Sequence, residues 1–351
     1  MTKKKGKRIG ILTAGGDCPG LNAAIRGVGK TAMLEYGMEV IGISSGYLGL
    51  IEREYRFLTE DDLSGILTLG GTILGTSREK PFKKGQYNEY IRSKPDIIKD
   101  TYNNLELDGV VCIGGNGTMK TAHTLAEEGL NVIGVPKTID NDVWGTDLTF
   151  GFDSALSIAT EAIDRIHTTA NSHKRIMVVE VMGHHAGWLA LYSGVAGGGD
   201  VILIPEIPYD VDVVADYLQR RANSGKPYSI LVVAEGIDLP EKKRKKGAAG
   251  YIAKELQKKT DLKARETILG YIQRGGTPTA SDRILATRLG AYAAESAAEG
   301  KFGHMVALRN RSMERVPLEE VSGKLNLVPS DHPLVRKARS IGTCFGDVLP
   351  G

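Results

Sequence analysis

The sequence predicts an α/β fold of two doubly wound, mainly parallel-sheet lobes, with the active site in the cleft between them. Three observations lead there. Short apolar runs alternate with helical periods over most of the chain, which implies parallel pairing with helices on both sheet faces. The alternation starts a second time after a long helix near the middle. At 351 residues the chain also exceeds the usual size of one hydrophobic core, so two lobes are expected.

Taken in order, residues 8–14 read as a buried strand and 21–36 as a helix. Strands over 39–44, 109–113 and 132–135, with a helix over 118–128, continue the first lobe. Residues 151–170 form a long helix leading away from it. Strands over 176–181, 201–204 and 230–234 then alternate with helices over 185–196, 212–221 and 249–260. A strand over 266–271 runs into the turn Gln273-Arg274-Gly275-Gly276, and the alanine- and leucine-rich stretch 280–299 is a helix. The layer order repeats although the sequence does not. The expected lobes are 1–151 plus about 273–323, and 152–272 plus about 324–351.

Composition narrows the class. The chain is 41% hydrophobic and 25% charged, as in soluble globular proteins. A net charge of +3 is too small to argue for nucleic acid. The basic runs Lys3-Lys4-Lys5 and Lys242-Lys243-Arg244-Lys245-Lys246 read as solvated ends and loops. Cys18, Cys112 and Cys344 suit neither a disulfide framework nor a metal cluster, and Cys112 reads as core. No apolar run is long enough for a bilayer, and no signal-peptide pattern follows the basic start. A reducing cytoplasm is the expected location.

The 44 glycines gather at strand ends. Thr13-Ala14-Gly15-Gly16-Asp17-Cys18-Pro19-Gly20 joins the first strand to the first helix. Glycines admit an anion close to the backbone, and the helix start supplies N–H groups and a favourable dipole. The segment lacks the dinucleotide and Walker patterns, and a tight strand–helix turn would also account for it. Gly114-Gly115-Asn116-Gly117-Thr118 repeats the device, with Thr118 serving either as helix cap or as a phosphate ligand. Gly70-Gly71-Thr72-Ile73-Leu74-Gly75-Thr76-Ser77-Arg78 is a third such loop, and Arg78 is a clamp for charge developing on a transferred group.

The segment Val135-Pro136-Lys137-Thr138-Ile139-Asp140-Asn141-Asp142 supplies two carboxylates, a hydroxyl and a lysine. Asp140 and Asp142 are spaced to face one side of an extended segment. One would act as base and the other would support a metal; an Asx-turn is the rival reading. Arg175, Arg265 and Arg274 lie near strand termini, as an anionic substrate requires. Glu235 ends a strand, and Met182-Gly183-His184-His185 follows another. Together these point to phosphoryl transfer onto a hydroxyl group.

These segments closely resemble the 6-phosphofructokinase family. The resemblance rests on Gly15-Gly16-Asp17-Cys18-Pro19-Gly20-Leu21-Asn22, Gly46-Tyr47-Leu48-Gly49-Leu50, Gly75-Thr76-Ser77-Arg78, Gly114-Gly115-Asn116-Gly117-Thr118, Thr138-Ile139-Asp140-Asn141-Asp142, Val179-Glu180-Val181-Met182-Gly183 and Gln273-Arg274-Gly275-Gly276. It implies transfer from ATP to the C1 hydroxyl of fructose 6-phosphate, giving fructose 1,6-bisphosphate in glycolysis. It implies Asp140 as general base, with Arg78 and Thr138 also catalytic. The donor would meet Gly15, Tyr47, Arg78, Glu79, Gly115, Asn116, Gly117, Thr118 and Lys137. The sugar phosphate would meet Thr138, Asp140, Arg175, Met182, Gly183, His184, Glu235, Arg265, Tyr271 and Arg274. A homodimer or homotetramer is implied, with Arg175 and Arg265 donated across subunits, and Mg2+ as cofactor, with Asn116 and Asp142 as its candidate ligands. Neither nucleic acid nor a membrane is expected as a partner.

The chain departs from the family pattern at informative places. Asn116 stands where the family usually has a magnesium-binding Asp, and an amide is a weaker ligand for a hard cation. His184 and Tyr271 replace the usual Arg and His. Gly117 resembles ATP users, whereas Lys137 resembles pyrophosphate users and a mixed bacterial group. ATP is the expected donor and pyrophosphate the alternative. Arg26, Lys30, Arg165, Asp200 and Lys226 resemble effector-binding positions, but Ser224 and Pro227 replace common lysines. A non-catalytic regulator and an NAD kinase are the remaining readings.

Overall fold

The computed structural model describes residues 6–83, 93–240 and 247–350. Both basic runs noted above fall outside these residues. Two compact units are present. One comprises Met1–Thr138, Val143–Asp153 and Arg274–Leu325, the other Ile139–Asp142, Ser154–Gln273 and Asn326–Gly351.

The chain runs β1 (Arg8–Thr13), α1 (Leu21–Leu34), β2 (Glu39–Ile43), α2 (Tyr47–Glu52), β3 (Tyr55–Phe57), α3 (Lys94–Asn104), β4 (Gly109–Gly114), α4 (Asn116–Glu127), β5 (Val132–Thr138) and β6 (Phe150–Gly151). It continues through α5 (Phe152–His173), β7 (Ile176–Val181), α6 (Trp188–Ala196), β8 (Val201–Leu203), α7 (Val211–Asn223), β9 (Ser229–Ala234), α8 (Ala248–Lys259) and β10 (Ala264–Ile268). It ends with α9 (Ala280–Ala298), β11 (His304–Arg309), β12 (Ser312–Pro317), α10 (Leu318–Val321) and α11 (Pro333–Ser340).

The sheet of the first unit has the order β12-β11-β5-β4-β1-β2-β3, with β6 paired to β5. Its interior pairs are parallel, while β3 and β12 are antiparallel edges. β4 and β5 are buried along their whole length. Parallel strands covered on both faces need such continuous apolar runs. The chain moves from β1 outward to β2, then returns to place β4 on the other side of β1. That reversal makes β1 and β4 the switch point, where open α/β sheets bind ligands beyond the strand C-termini. Leu12, Ile43, Val110, Cys112, Met119 and Met305 are part of the core beneath it. Helices α1 and α9 pack closely through small residues: a Cβ on Gly290 would lie 2.4 Å from the Ala24 carbonyl oxygen, and one on Gly27 2.7 Å from that of Thr287.

The second unit has a parallel sheet of order β10-β7-β9-β8. Two of the boundaries that differ from the sequence expectation have a local backbone reason. The strand expected to reach residue 271 stops at Ile268, because Gly270 takes φ 53° and a 3-10 turn follows. The helix expected from residue 185 starts at Trp188, after Gly183 (φ 142°) and His184 (φ 52°) form a turn closed by Ala186 N–H on the Gly183 carbonyl.

Candidate functional site

The turns after β1 and β4 lie at the switch point, and a third segment braces them. Gly15 N–H donates to the Ser77 carbonyl at 2.8 Å, and Thr76 Oγ1 donates back to the Gly15 carbonyl at 2.7 Å. Ser77 Oγ donates to Ser45 and Thr13 Oγ1 to Gly75, both at 2.6 Å. The loop ending in Arg78 therefore follows a 3-10 turn (Ile66–Thr68) rather than a strand, but it is stitched to the first glycine turn. Arg78 is exposed there. Glu79 forms an ion pair with Lys94 at 2.7 Å.

Gly115 is the N-cap of α4 and brings no side-chain cap. A Cβ on it would lie 3.4 Å from the Lys137 carbonyl oxygen, so the turn sits close against the end of β5. Asn116 and Gly117 open the helix, and Gly117 is exposed, with no atom within 4 Å of the place a Cβ would take. Thr118 does not cap the helix. Its hydroxyl is buried and donates to the Ala14 carbonyl at 3.4 Å, tying α4 to the end of β1. Tyr47 lies below it, fully buried, with its hydroxyl donating to the Thr118 carbonyl at 3.0 Å. Tyr47 thus supports the turn from beneath.

Two cations reach the first glycine turn. The Lys137 ammonium donates to the Gly16 carbonyl, and Arg274 Nη1 donates to the Asp17 carbonyl at 3.0 Å. Lys137 is 3% exposed. The Cys18 thiol beside them is pushed up to about 12 by burial, which Lys137 and Arg274 only partly oppose. It is an inert core thiol.

Thr138 ends β5 and is buried, its carbonyl accepting from Thr149 Oγ1 at 2.8 Å. The following residues do not continue as an extended segment, because Asn141 adopts φ 50°. Strand alternation therefore does not set the directions of Asp140 and Asp142, contrary to the spacing argument. Asp140 (8% exposed) and Asp142 (5%) are both buried. Asn326 holds this bend, its side chain donating to the Asn141 carbonyl at 3.1 Å and its N–H to that of Asp142 at 2.9 Å. Nothing in the local sequence around Asn326 marks that role.

In the second unit, Met182, Gly183 and His184 follow β7 and Glu235 follows its neighbour β9. Glu235 Oε1 accepts the His184 N–H at 3.0 Å, and the buried Gln273 side chain accepts the Met182 N–H at 3.4 Å. The His184 and His185 rings lie 3.8 Å apart. Tyr271 is 75% exposed. Arg175 and Arg265 lie elsewhere: Arg175 precedes β7, and Arg265 is paired with Met177 near the start of β10 and β7. They occupy the opposite sheet end from Met182 and Gly183. Among the described residues no group of three or more His, Cys, Asp or Glu could hold a metal ion. Asn116 and Asp142 offer single oxygen ligands, which suits a cation brought in largely on phosphates rather than one caged by protein. No described helix is long and apolar enough to cross a membrane.

The model of the phosphofructokinase family matches residues 8–297. The chain belongs to the phosphofructokinase family. A Bacteroides thetaiotaomicron protein named ATP-dependent 6-phosphofructokinase 3 is 60% identical over 339 residues, covering 97% of this chain and 100% of that one. A Spirochaeta thermophila protein named ATP-dependent 6-phosphofructokinase is 57% identical, covering 99% and 100%. Among solved structures, Pichia pastoris phosphofructokinase in the T-state matches with TM-score 0.81 and 34% identity. That match covers 91% of this chain but 35% of the yeast chain, so the present chain spans about a third of that protein. A pyrophosphate-dependent phosphofructokinase from Nitrosospira multiformis shares the fold at TM-score 0.82 and 22% identity, covering 93% and 86%.

Two of the five effector-like positions, Asp200 and Arg165, make ion pairs within the chain. Asp200 pairs with Arg221 at 2.6 Å and accepts the Ile230 N–H at 2.9 Å. Arg165 pairs with Glu161 at 2.6 Å.

Proposed function

We propose that the protein is an ATP-dependent 6-phosphofructokinase, transferring the terminal phosphoryl group of ATP to the C1 hydroxyl of fructose 6-phosphate. One arrangement carries this reading: two glycine turns end the adjacent strands β1 and β4, and the neighbouring β5 ends in Thr138, with Asp140 two residues beyond. Phosphoryl transfer asks little covalent chemistry of a protein. It asks for positioning, charge neutralisation and a place for the hydroxyl proton.

Asp140 accepts the C1 proton as the C1 oxygen bonds to phosphorus and the ADP oxygen departs. The amides of the glycine turns and Arg78 take the charge spreading over the transferring group. Thr138 holds the acceptor sugar beside Asp140. Met182, Gly183, His184, Glu235 and Tyr271 serve the sugar phosphate; Arg274, expected with them, donates instead to the Asp17 carbonyl of the glycine turn. Mg2+ on the phosphates would supply further neutralisation, with Asn116 and Asp142 as its candidate protein ligands. Arg175 and Arg265 serve a neighbouring copy of the chain, since their end of the sheet is remote from their own Met182 and Gly183.

ATP is favoured over pyrophosphate because relatives at 57–60% identity carry ATP in their names. The pyrophosphate-dependent structure matches at only 22%. The test supplies fructose 6-phosphate with ATP or pyrophosphate in parallel, each titrated with Mg2+. ATP should turn over faster at equal concentration. Turnover with neither donor would remove the proposal, and faster turnover with pyrophosphate would reverse the donor.

A further inference from the structure

Three consecutive carbonyls of the first glycine turn are held by three different side chains. Thr76 Oγ1 holds Gly15 at 2.7 Å, the Lys137 ammonium holds Gly16, and Arg274 Nη1 holds Asp17 at 3.0 Å. In a trans peptide the N–H points opposite to the carbonyl of the same unit. Fixing these carbonyls therefore fixes the directions of the Gly16, Asp17 and Cys18 N–H groups, away from the three donors. Amides aimed in this way in advance are what a phosphate-binding turn needs, because nothing must reorganise when the anion arrives.

We infer that Lys137 is a positioning residue for this turn, and that it does not select between ATP and pyrophosphate. Its ammonium is anchored on the Gly16 carbonyl from a site 3% exposed. Arg274 does the same one residue on, and the turn is shaped to admit it: a Cβ on Gly16 would lie 2.7 Å from Arg274 Nη1 and 3.0 Å from its Cζ. Both cations donate to carbonyls of the turn, so their charge lies on the carbonyl side of these peptides, opposite to the N–H groups. Positive charge there favours any polyphosphate in front, so it supports both donors equally. Selection is left to Gly117, where the first turn of α4 is open. The inference rests on the assignment of this turn to the donor.

Steady-state kinetics of the full-length enzyme test it. Lys137→Met keeps the stem and removes the charge. It should raise KM for ATP about tenfold, the size expected for losing a charged hydrogen bond, with GTP shifted by the same factor. KM for fructose 6-phosphate should stay within about twofold of wild type. Lys137→Arg, which still donates to a carbonyl, should recover most of the loss. Gly16→Ala, which disturbs the Arg274 contact, should raise the ATP KM in the same direction, and it decides the matter if Lys137→Met fails to fold. The inference is overturned if ATP kinetics are unchanged in Lys137→Met while pyrophosphate turnover alone disappears, or if Gly16→Ala leaves the ATP KM unchanged. A wild-type enzyme inactive with ATP would instead overturn the functional proposal itself.

Discussion

Gly117 lies exposed in the first turn of α4, with open space where a side chain would project. An aspartate there suits the helix dipole, so the fold should tolerate Gly117→Asp. Under the proposed donor assignment, the same carboxylate would face the nucleotide phosphates. The expected outcome is an unchanged melting temperature and an ATP KM raised by about tenfold or more, with pyrophosphate use affected less. Equal losses with both donors would show that residue 117 does not discriminate. Asn116, one position earlier, permits a complementary test. Asn116→Asp adds a hard anionic oxygen at a helix start that favours it. The Mg2+ concentration giving half-maximal rate should fall several-fold, and a Mg2+ titration with no change would remove residue 116 from the metal's surroundings. Both residues stood out in the sequence as part of a glycine turn between a strand and a helix, a device that serves tight turns as well as anion sites. Tyr47 and Asn326 were not legible in the same way. Tyr47 acts by burial under α4, and Asn326 by backbone bonds to a bend distant in sequence, neither of which leaves a local pattern.

At the scale of elements, the buried parallel strands were readable because each is a continuous apolar run, as in β4 and β9, both buried throughout. Most of the elements not anticipated are short or lie at an edge, among them α2, the exposed β3, and the hairpin β11–β12. The exposed β3 and the mixed β12 carry no unbroken apolar run, and that of β11 spans only Met305–Leu308. The helix α3 was missed because its Lys, Asp and Asn residues mask a narrow apolar face of Ile98 and Tyr102. Helix α8 carries a testable electrostatic joint. Its second residue, Ala249, donates its N–H to Glu180 Oε2 at 2.8 Å, from the end of β7. Burial raises the Glu180 pKa above the ordinary carboxylate value; the Ala249 N–H opposes this, and Glu235 adds to it. A raised folded-state pKa means that stability from this group is complete below its unfolded pKa and is lost as pH rises through the folded one. Glu180→Gln keeps an acceptor for Ala249 without titrating. Chemical denaturation from pH about 4 to 7 should therefore show the variant gaining on wild type as pH rises. A difference independent of pH would mean that Glu180 titrates as it does in the unfolded chain.

At the scale of the whole molecule, the two-fold repetition of the α/β layer order was legible from the restart after residue 151, and the two parallel sheets agree with it. Assembly is a further question, and the second unit supplies a physical reason to ask it. Arg175 precedes β7 and Met182 follows it, so the six-residue strand separates them by roughly 20 Å. Arg265 lies at the same end as Arg175, its Nη1 donating to the Ala264 carbonyl at 2.9 Å. If these arginines complete the site of a second copy, damage to base and damage to arginines should complement. Asp140→Asn chains and Arg175→Ala/Arg265→Ala chains should each be nearly inactive alone. In a hybrid pair, one site carries both defects and the other carries none. Random equal mixing makes half of the pairs hybrid, so the mixture should recover about a quarter of wild-type activity under the symmetry of an isologous dimer. Unfolding and refolding the variants together, then assaying fructose 6-phosphate with ATP, reads this directly. A mixture no more active than its components would place Arg175 and Arg265 outside the partner's site.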